Sequence, residues 1–532
     1  MRGILPASAV EKEIVNVDSE KLQDTITAAT DKKISRGAVI KGTAGVAGAA
    51  ALARVQVGAD RLYAAAEYTR PEAELSGNIS IWAQAYNPTQ SMVKTANNPI
   101  PHHNLQVAID QYQALHPKVQ VTIIYQPASV ADSRVWLDTM LTGDIAPEIV
   151  WAGSWWTNND LGKGWWTNLD PFLASPNPYI PAGHPGHNRW IEEFYPALTE
   201  AKRASDGHIY VIPYDLVTTF FFYNKNLFDK AGITAAPKTW ADFLLVLQKL
   251  QKAGIDPYNG MQWSRTQMAN MLLRGAIANK VRPTGPVGAY LSKDMALAIK
   301  SGVFSTSMPQ WQDWYRLMKE SVPYWSKDWA LGVSGNTGAS VDYGLRWNRG
   351  KLAVFEDGSW RFGQTRANPL VNFKWDTFFM PPITKGSGPG QSPYADGKIA
   401  PAIGGATAIQ FAITNTAVKH KTLPIAVDFL KFISAPKQAG RIIGEAGLFL
   451  PNEKEVDVNS GLRGSLKAVT AGIGEASMFY YGDKFTTETS AKEGTATNLF
   501  LIGKADLAST AKTIQDLWTK MANEEIAKFG WK

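Results

Sequence analysis

The feature that most constrains the fold of this sequence is an early alternation of short apolar strands with amphipathic helical segments. Apolar and polar side chains alternate in the first two predicted strands, and the third is a short apolar run. The strands are predicted at 77–82, 119–123 and 148–151, and the intervening helices at 105–115 and 135–141. Strands that alternate with helices pair in parallel, so the sequence predicts an α/β protein with a doubly wound sheet.

Composition excludes several classes of protein. The 532 residues are 45% hydrophobic and 19% charged, which is ordinary for a globular protein and unlike a disordered chain. The absence of cysteine excludes disulfides, thiolate metal sites and a lipid anchor on cysteine. The net charge of +7 is dispersed along the chain, so no nucleic-acid partner is expected. No apolar run reaches the roughly 18 residues that a membrane-spanning helix needs.

The N-terminal segment predicts export. A basic stretch around Lys32 and Arg36 precedes twelve uncharged residues, mostly Gly and Ala, which is the layout of a signal peptide. Residues 35–41 resemble a twin-arginine export signal, except that Gly37 stands where the second arginine is expected. We therefore expect residues 1–66 to be an export signal and leader and the mature protein to be periplasmic or extracellular. The alternative is a small helical hairpin that stays on the protein.

Tryptophan is the informative residue type. The chain has 19 Trp, whose flat amphipathic rings pack in cores and also bind the apolar faces of sugar rings. Several of them follow the third predicted strand, where open α/β sheets bind ligands. Trp151, Trp155 and Trp156 are the candidates for ligand contact, whereas other rings of this group are expected to cap the core.

A second local pattern predicts a helix that begins near residue 240. Thr239 is a natural N-cap, and Asp242 three residues later completes a variant of the capping box. Trp240, at the first helical position, is interpreted as a core residue rather than a ligand contact. Gly404 and Gly405 are predicted to open a later strand, which ends at Ile413.

Six phrases in a fixed order carry a resemblance to a known family. They occupy residues 143–150, 207–213, 223–228, 237–240, 350–354 and 357–360. With them, residues 76–455 resemble the family 1 extracellular solute-binding proteins of sugar-type ABC importers, the maltose-binding-protein group.

The resemblance implies a two-lobed periplasmic-binding-protein fold, with hinge crossovers between the lobes and the ligand in the cleft between them. The crossovers are expected near Pro213, Pro381-Pro382 and Pro451. The first lobe would comprise residues 76–213 and 382–450, and the second lobe residues 214–381 and 451–532.

The resemblance also implies a function and a site. The protein would bind a carbohydrate, in oligosaccharide form, and deliver it to transmembrane ABC permease subunits, as a monomer without cofactor, metal or enzymatic activity. Trp360 would stack on the sugar from the second lobe, unless it packs in the core, and Asp215 near the hinge would accept sugar hydroxyls. The full set of expected ligand-binding residues is Gln84, Trp151, Trp155, Trp156, Asp215, Trp360 and Gly405.

Two alternatives stay open. An extracellular carbohydrate-active enzyme would use two carboxylates about 5–10 Å apart, and the candidate pairs are Glu192-Glu193 and Glu356-Asp357. A binding protein for a non-sugar solute such as iron would need clustered Tyr oxygens, for which Tyr480-Tyr481 is one pair. The run His184-Pro185-Gly186-His187 has a spacing that could hold a metal, but Pro-Gly between the two histidines favours a loop.

Overall fold

The computed structural model describes most of the chain beyond the predicted leader. The described residues are 74–127, 132–200, 202–217, 219–281, 291–332, 342–397, 410–446, 449–456 and 485–532. The predicted leader at 1–66, the predicted ligand residue Gly405 and the pair Tyr480-Tyr481 lie outside these residues.

The regular elements of the described residues are short strands and, for the most part, longer helices. The strands are β1 Gly77–Trp82, β2 Val119–Ile123, β3 Ile149–Trp151, β4 Ile212–Pro213, β5 Asp215–Leu216, β6 Thr219–Asn224, β7 Val354–Gly358, β8 Trp375–Phe378, β9 Thr384–Lys385, β10 Gln391–Ser392, β11 Gln410–Ile413 and β12 Leu450–Pro451. The helices are α1 Asn104–Leu115, α2 Ser133–Thr142, α3 Ser154–Asn159, α4 Asp170–Leu173, α5 Pro196–Glu200, α6 Lys225–Lys230, α7 Trp240–Lys252, α8 Ser264–Val281, α9 Ser292–Lys300, α10 Pro309–Ser321, α11 Trp329–Gly332, α12 Tyr343–Asn348, α13 Trp360–Ala367, α14 Asn415–Lys419, α15 Leu423–Ser434, α16 Pro436–Ala446, α17 Thr487–Leu501 and α18 Leu507–Phe529.

A five-stranded sheet in the order β2-β1-β3-β11-β4 is built around the predicted N-terminal unit. Strand β1 is parallel to both neighbours, so that Ile81 lies beside Ile123 of β2 and Ile149 of β3. The consecutive residues Ile81 and Trp82 are buried in different apolar clusters on opposite faces of the sheet. The predicted α/β class and the parallel pairing of the first three strands are confirmed.

A second sheet of three antiparallel strands has the order β7-β6-β8. Its central strand β6 has aromatic side chains on both faces. The Phe221 ring lies 5.2 Å from the ring of Phe243 on α7, whereas the neighbouring Phe222 ring lies 4.9 Å from the ring of Phe362 on α13. Helices therefore cover both faces of this sheet as well, and α7 begins with the predicted capping box and a fully buried Trp240.

The chain passes between the two sheets through a pair of two-residue strands. Strand β4 ends in the five-stranded sheet, β6 begins in the three-stranded sheet, and β5 between them pairs antiparallel with β12. Asp215 lies opposite Pro451 in this pair. Two of the three expected crossover segments are thus hydrogen-bonded to each other.

The segment after the expected crossover at Pro381-Pro382 contacts helices of the predicted second lobe. The Arg316 side chain on α10 donates to the Gln391 carbonyl at 2.7 Å, and Arg274 on α8 donates to both carboxylate oxygens of Asp396 at 2.7 Å. These contacts favour a crossing after residue 396, although the sequence assigned residues 382–450 to the first lobe. The lobe boundaries themselves stay a prediction.

A carboxylic acid is buried beside the paired strands β5 and β12. Glu453 follows β12, has no exposed surface, and, among the described residues, its carboxylate has no hydrogen bond from another side chain. Its backbone pairs with Phe194, next to the buried acid Glu193. Burial raises the pKa of Glu453 well above its ordinary value, and the nearby charges of Glu193 and Asp215 raise it further.

We predict that Glu453→Gln makes the protein more stable at pH 8 by at least about 1 kcal/mol. An acid whose pKa is raised in the folded state favours folding most when protonated, and it loses that contribution as the pH rises above the unfolded pKa of about 4.3. The advantage of the glutamine variant should therefore grow between about pH 4 and pH 8. Urea unfolding at a series of pH values measures it.

Glu192→Gln is the matched control, because Glu192 precedes the buried Glu193 in sequence while its own side chain is 44% exposed. It should leave the pH dependence of unfolding unchanged. A Glu453→Gln variant whose free energy of unfolding follows the wild-type pH profile would contradict the expected cost of ionising this buried acid.

Candidate functional site

Three tryptophan rings form a cluster at the carboxyl end of β3. Trp151 ends the strand, and Trp155 and Trp156 lie in the short helix α3 directly after it. The Trp151 and Trp156 ring centroids are 4.7 Å apart, those of Trp155 and Trp156 are 6.2 Å apart, and both pairs meet edge to face. All three rings are partly exposed, and the structure brings these three predicted site residues together.

Charged groups behind this cluster fix its position. The Arg134 guanidinium lies over the Trp156 ring at 5.3 Å and donates to both carboxylate oxygens of Asp160 at 2.7 and 2.9 Å. Asp160 also accepts a hydrogen bond from the indole nitrogen of Trp166, whose ring is buried. Trp166 is therefore one of the rings that cap the core, whereas the rings of α3 keep exposed surface.

Trp360 begins the short helix α13 at the end of β7 and is partly exposed. Its ring meets the Trp263 ring edge to face with centroids 5.5 Å apart, and its centroid lies 6.1 Å from that of Phe449. It is neither fully buried nor isolated on the surface. Its role as a stacking residue stays a prediction.

The same three residues, Gly-Ser-Trp, position an indole after a strand in both sheets. They occur at 153–155 after β3 and at 358–360 after β7. In each case a Cβ atom on the glycine would collide with the ring of the tryptophan two residues later. The glycine lets the ring fold back over the backbone of the turn, which holds it at the strand end.

Trp263 is a further candidate site residue, which the sequence did not indicate. It directly precedes α8, and its backbone nitrogen donates to the Glu356 carboxylate at 2.7 Å. Glu356 accepts four further hydrogen bonds of 2.5–3.0 Å, two of them from Ser264. Burial raises the pKa of Glu356, and the hydrogen bonds from Ser264 and Tyr258 oppose that shift. The sequence does show a Trp next to the start of a predicted helical region, but it does not show that Glu356, which holds the Trp263 backbone, lies beside it.

Gln84 and Asp215 lie at the end of β1 and in β5, close to the crossing strands. Gln84 is exposed and has a φ of 49°, an uncommon left-handed conformation for a residue other than glycine. Asp215 is fully buried and accepts a hydrogen bond of 2.7 Å from the Tyr86 hydroxyl, in the same turn as Gln84. A ligand hydroxyl would reach Asp215 only after local rearrangement, so its predicted role needs an opening of this contact.

The side chains proposed for an enzyme are engaged within the protein. Glu356 holds the start of α8, and Asp357 pairs with Arg361 and accepts from the Gly358 nitrogen. Glu193 is buried, whereas the side chain of Glu192 is 44% exposed, so this pair points in different directions.

The histidine run His184–His187 is engaged as well. The Nδ1 atom of His184 lies 2.6 Å from a Glu455 oxygen, and the Nδ1 atom of His187 lies 2.8 Å from the Ile180 carbonyl. No group of three or more side chains suited to a metal ion occurs in the part of the chain that the structure describes.

Comparison with known proteins identifies the family. Residues 103–440, well over half of the chain, match the family described as Bacterial extracellular solute-binding protein. The chain belongs to this family. Its members bind solutes outside the cytoplasm, as the family description states. Among the described residues of this solute-binding protein, no helix is both long enough and apolar enough to cross a membrane.

Solved structures of two-lobed binding proteins share the fold. A chitin oligosaccharide binding protein is 17% identical, with a TM-score of 0.56, 84% of this chain covered and 99% of that one. The GacH receptor of Streptomyces glaucescens is 16% identical, with a TM-score of 0.55 and coverages of 85% and 100%. The cyclic alpha-maltosyl-1,6-maltose binding protein of Arthrobacter globiformis is 17% identical, with a TM-score of 0.53 and coverages of 84% and 100%. The two-lobed periplasmic-binding-protein fold is thereby confirmed.

We predict that Gly358→Ala displaces the Trp360 ring and destabilises the protein by about 1–3 kcal/mol, the usual cost of overpacking. The reason is that the new Cβ atom would collide with the ring, which sits between Gly358 and Trp263. Chemical unfolding gives the stability, and a crystal structure of the variant gives the ring position.

Gly494→Ala is the control, because Gly494 lies within α17 and a Cβ atom there meets no neighbour within 4 Å. It should stabilise the protein by about 0.5–1 kcal/mol through helix propensity alone. If both glycine variants behaved alike, the close approach of Trp360 to the turn would not determine the packing there.

Proposed function

We propose that this solute-binding protein is the extracytoplasmic substrate-binding component of an ABC importer and that it binds an oligosaccharide. The observation that carries the proposal is the pair of Gly-Ser-Trp turns, which hold partly exposed indole rings after strands of both sheets. The three similar structures are a chitin oligosaccharide binding protein, a receptor solved in complex with acarbose and a cyclic alpha-maltosyl-1,6-maltose binding protein, which supports a sugar here.

The chemistry of the rings suits a sugar. A pyranose ring has apolar C–H faces and hydroxyl edges, so indole rings bind the faces while polar groups bind the edges. Trp155 and Trp156 would bind from the first lobe, and Trp360 with Trp263 from the second. Gln84 would offer an amide to the hydroxyl edges near the crossing strands, and Gly405 is proposed as a further contact.

The importer function follows from closure of the cleft. A ligand that contacts both lobes stabilises the closed form relative to the open form, and binding thereby shifts the hinge equilibrium. Transmembrane permease subunits would then distinguish loaded from empty protein by its shape. In this proposal, the lobes are residues 76–213 with the later part of 382–450, and 214–396 with 451–532.

Export is part of the proposal. A solute-binding component works outside the cytoplasm, and residues 1–66 have the layout of an export signal with leader. Retention at the cell surface would not use a lipid attached to cysteine, because the chain contains no cysteine. The protein is proposed to act as a monomer in this role.

The first experiment is a thermal-shift screen of the purified protein against mono- and oligosaccharides. A ligand at 100 times its dissociation constant stabilises a protein by about 2.7 kcal/mol, which is a readily measured shift of the melting temperature. Chromatography of the same mixtures reports hydrolysis. Saturable binding without turnover supports the importer component, whereas turnover supports a carbohydrate-active enzyme.

We predict that Trp360→Ala weakens binding of the best ligand from that screen by about 2–4 kcal/mol, or roughly 30-fold to 1000-fold, with little loss of stability. The reason is that the change removes the stacking face but not a fully buried ring. Isothermal titration calorimetry measures the affinity, and thermal unfolding measures the stability.

Trp531→Ala is the matched control, since Trp531 is also partly buried and, within the part of the chain that the structure describes, its ring stacks on Phe529 near the C-terminus. It should leave the affinity unchanged. A Trp360→Ala variant that melts far below the wild type but binds normally at low temperature would assign Trp360 to the core and refute its role in binding.

A further inference from the structure

A loop of the first sheet reaches an element of the second. The loop between β1 and α1 is closed at its base, where the Thr89 nitrogen donates to the His102 carbonyl at 2.9 Å. Its tip is held by the Asn98 side chain, which donates to two carbonyls of the same loop. Beyond this tip, the Ala96 carbonyl accepts a hydrogen bond of 3.1 Å from the Asn368 amide. Asn368 is the C-cap of α13, the helix that Trp360 begins.

A second contact connects α3 with α17. The Asn159 side-chain amide nitrogen donates to the Thr487 hydroxyl at 2.6 Å, and the Thr487 backbone nitrogen donates to the Asn159 side-chain oxygen Oδ1 at 3.2 Å. Helix α17 packs on the second sheet's helices, since Thr497 and the Tyr315 hydroxyl on α10 lie 2.9 Å apart. These two hydrogen bonds therefore join α3, which follows β3, to α17, which packs with helices of the predicted second lobe.

Both contacts are made by the short helices that carry the candidate stacking rings. Asn159 ends α3, and its amide nitrogen also donates to the Trp155 carbonyl at 2.6 Å. Asn368 caps α13, eight residues after Trp360, whose ring folds over Gly358. Because these helices have only 6 and 8 residues, each contact lies close in sequence to the ring on the same helix.

We propose that these two contacts, Ala96–Asn368 and Asn159–Thr487, are latches that hold the lobes together in the absence of ligand. The inference rests on the proposed function, because it describes how the same cleft is regulated. The latches populate a closed form of the empty protein. They slow entry of ligand into the cleft and, once ligand is bound, they slow its release.

The expected size of the effect is modest. A neutral hydrogen bond contributes about 0.5–1.5 kcal/mol net, which corresponds to roughly a 2-fold to 12-fold change in an equilibrium constant. Asn368 is buried and Thr487 is exposed, and each latch should change the ratio of closed to open protein by no more than this. Two latches at separate sites should act independently, so the ratios multiply.

The test measures the distance between the lobes in ligand-free protein. The chain has no cysteine, so Gln120→Cys on β2 and Lys252→Cys at the end of α7, both exposed, give one defined pair of spin labels. Electron–electron double resonance then reports the populations of closed and open forms. Asn368→Asp removes the amide donor but keeps the oxygen that accepts from the Leu370 nitrogen, and Thr487→Val removes the hydroxyl acceptor.

We predict that Thr487→Val lowers the closed-to-open ratio by about 2-fold to 12-fold. Asn368→Asp should lower it by at least as much, because its carboxylate would face the Ala96 carbonyl oxygen, and the double variant should lower it by the product. Asn523→Asp and Thr495→Val, both exposed on α18 and α17, are matched controls that should leave the distance distribution unchanged. Thermal unfolding checks that every variant is folded, and each single variant tests its latch separately.

Two results would overturn the proposal. One is a wild-type distribution that is already fully open, and the other is a distribution that neither latch substitution changes. Neither result depends on which solute binds, so failure of the sugar screen and failure of the latches are distinguishable. Small-angle scattering with a ligand from the screen adds a second readout, in which ligand should compact the double variant more than the wild type.

Discussion

The pairing of β5 with β12 is the constraint on which the rest of the structure depends. The five-stranded sheet takes β11 from a late part of the chain, inserted between β3 and β4, so the polypeptide must leave this sheet, build the other one and return. Asp215 and Pro451 meet where two of these passages run side by side. Few backbone hydrogen bonds connect the two sheets there, and such a narrow connection is where a hinge motion needs the least disruption of packing.

Binding surfaces in this arrangement must be held rigidly on each side of a mobile connection. The Gly-Ser-Trp turn meets that need in both sheets, because it places a large ring directly after a buried strand and fixes it against the backbone. Edge-to-face neighbours then restrict rotation of the ring, as Trp156 does for Trp151 and Trp263 does for Trp360. Rings restrained in this way lose little entropy when a ligand binds.

Much of the fold was predictable because its signals are local. The β1-α1-β2-α2-β3 unit follows from periodicity, and the start of α7 follows from Thr239 and Asp242, whose reciprocal hydrogen bonds are present. Trp360 was predicted correctly at the turn after a strand, although its role is untested. The role of Trp263 was not predictable in this way, because it depends on Glu356, more than 90 residues later.

The lobe to which residues 384–396 belong is likewise decided by contacts between residues that are distant in sequence. Their Gly-, Pro- and Ser-rich composition identifies a loop, which the structure shows to contain only the two-residue strands β9 and β10. Composition does not indicate which lobe a loop lies against. That depends on Arg316 and Arg274, which are distant in sequence and bind a backbone carbonyl and a carboxylate of this segment.

The relative sizes of the interactions suggest why both aromatic rings and latches would be present. Stacking of a sugar on an anchor ring at about 2–4 kcal/mol exceeds one exposed hydrogen bond at about 0.5–1.5 kcal/mol, so the ligand, not the latch, decides which form dominates. A much stronger latch would keep the empty protein closed and would hide the difference between loaded and empty forms. The two latches contain only one and two neutral hydrogen bonds, and they lie on the helices that carry the rings. They therefore favour closure of the empty protein while leaving a large difference between its shape and that of the loaded protein.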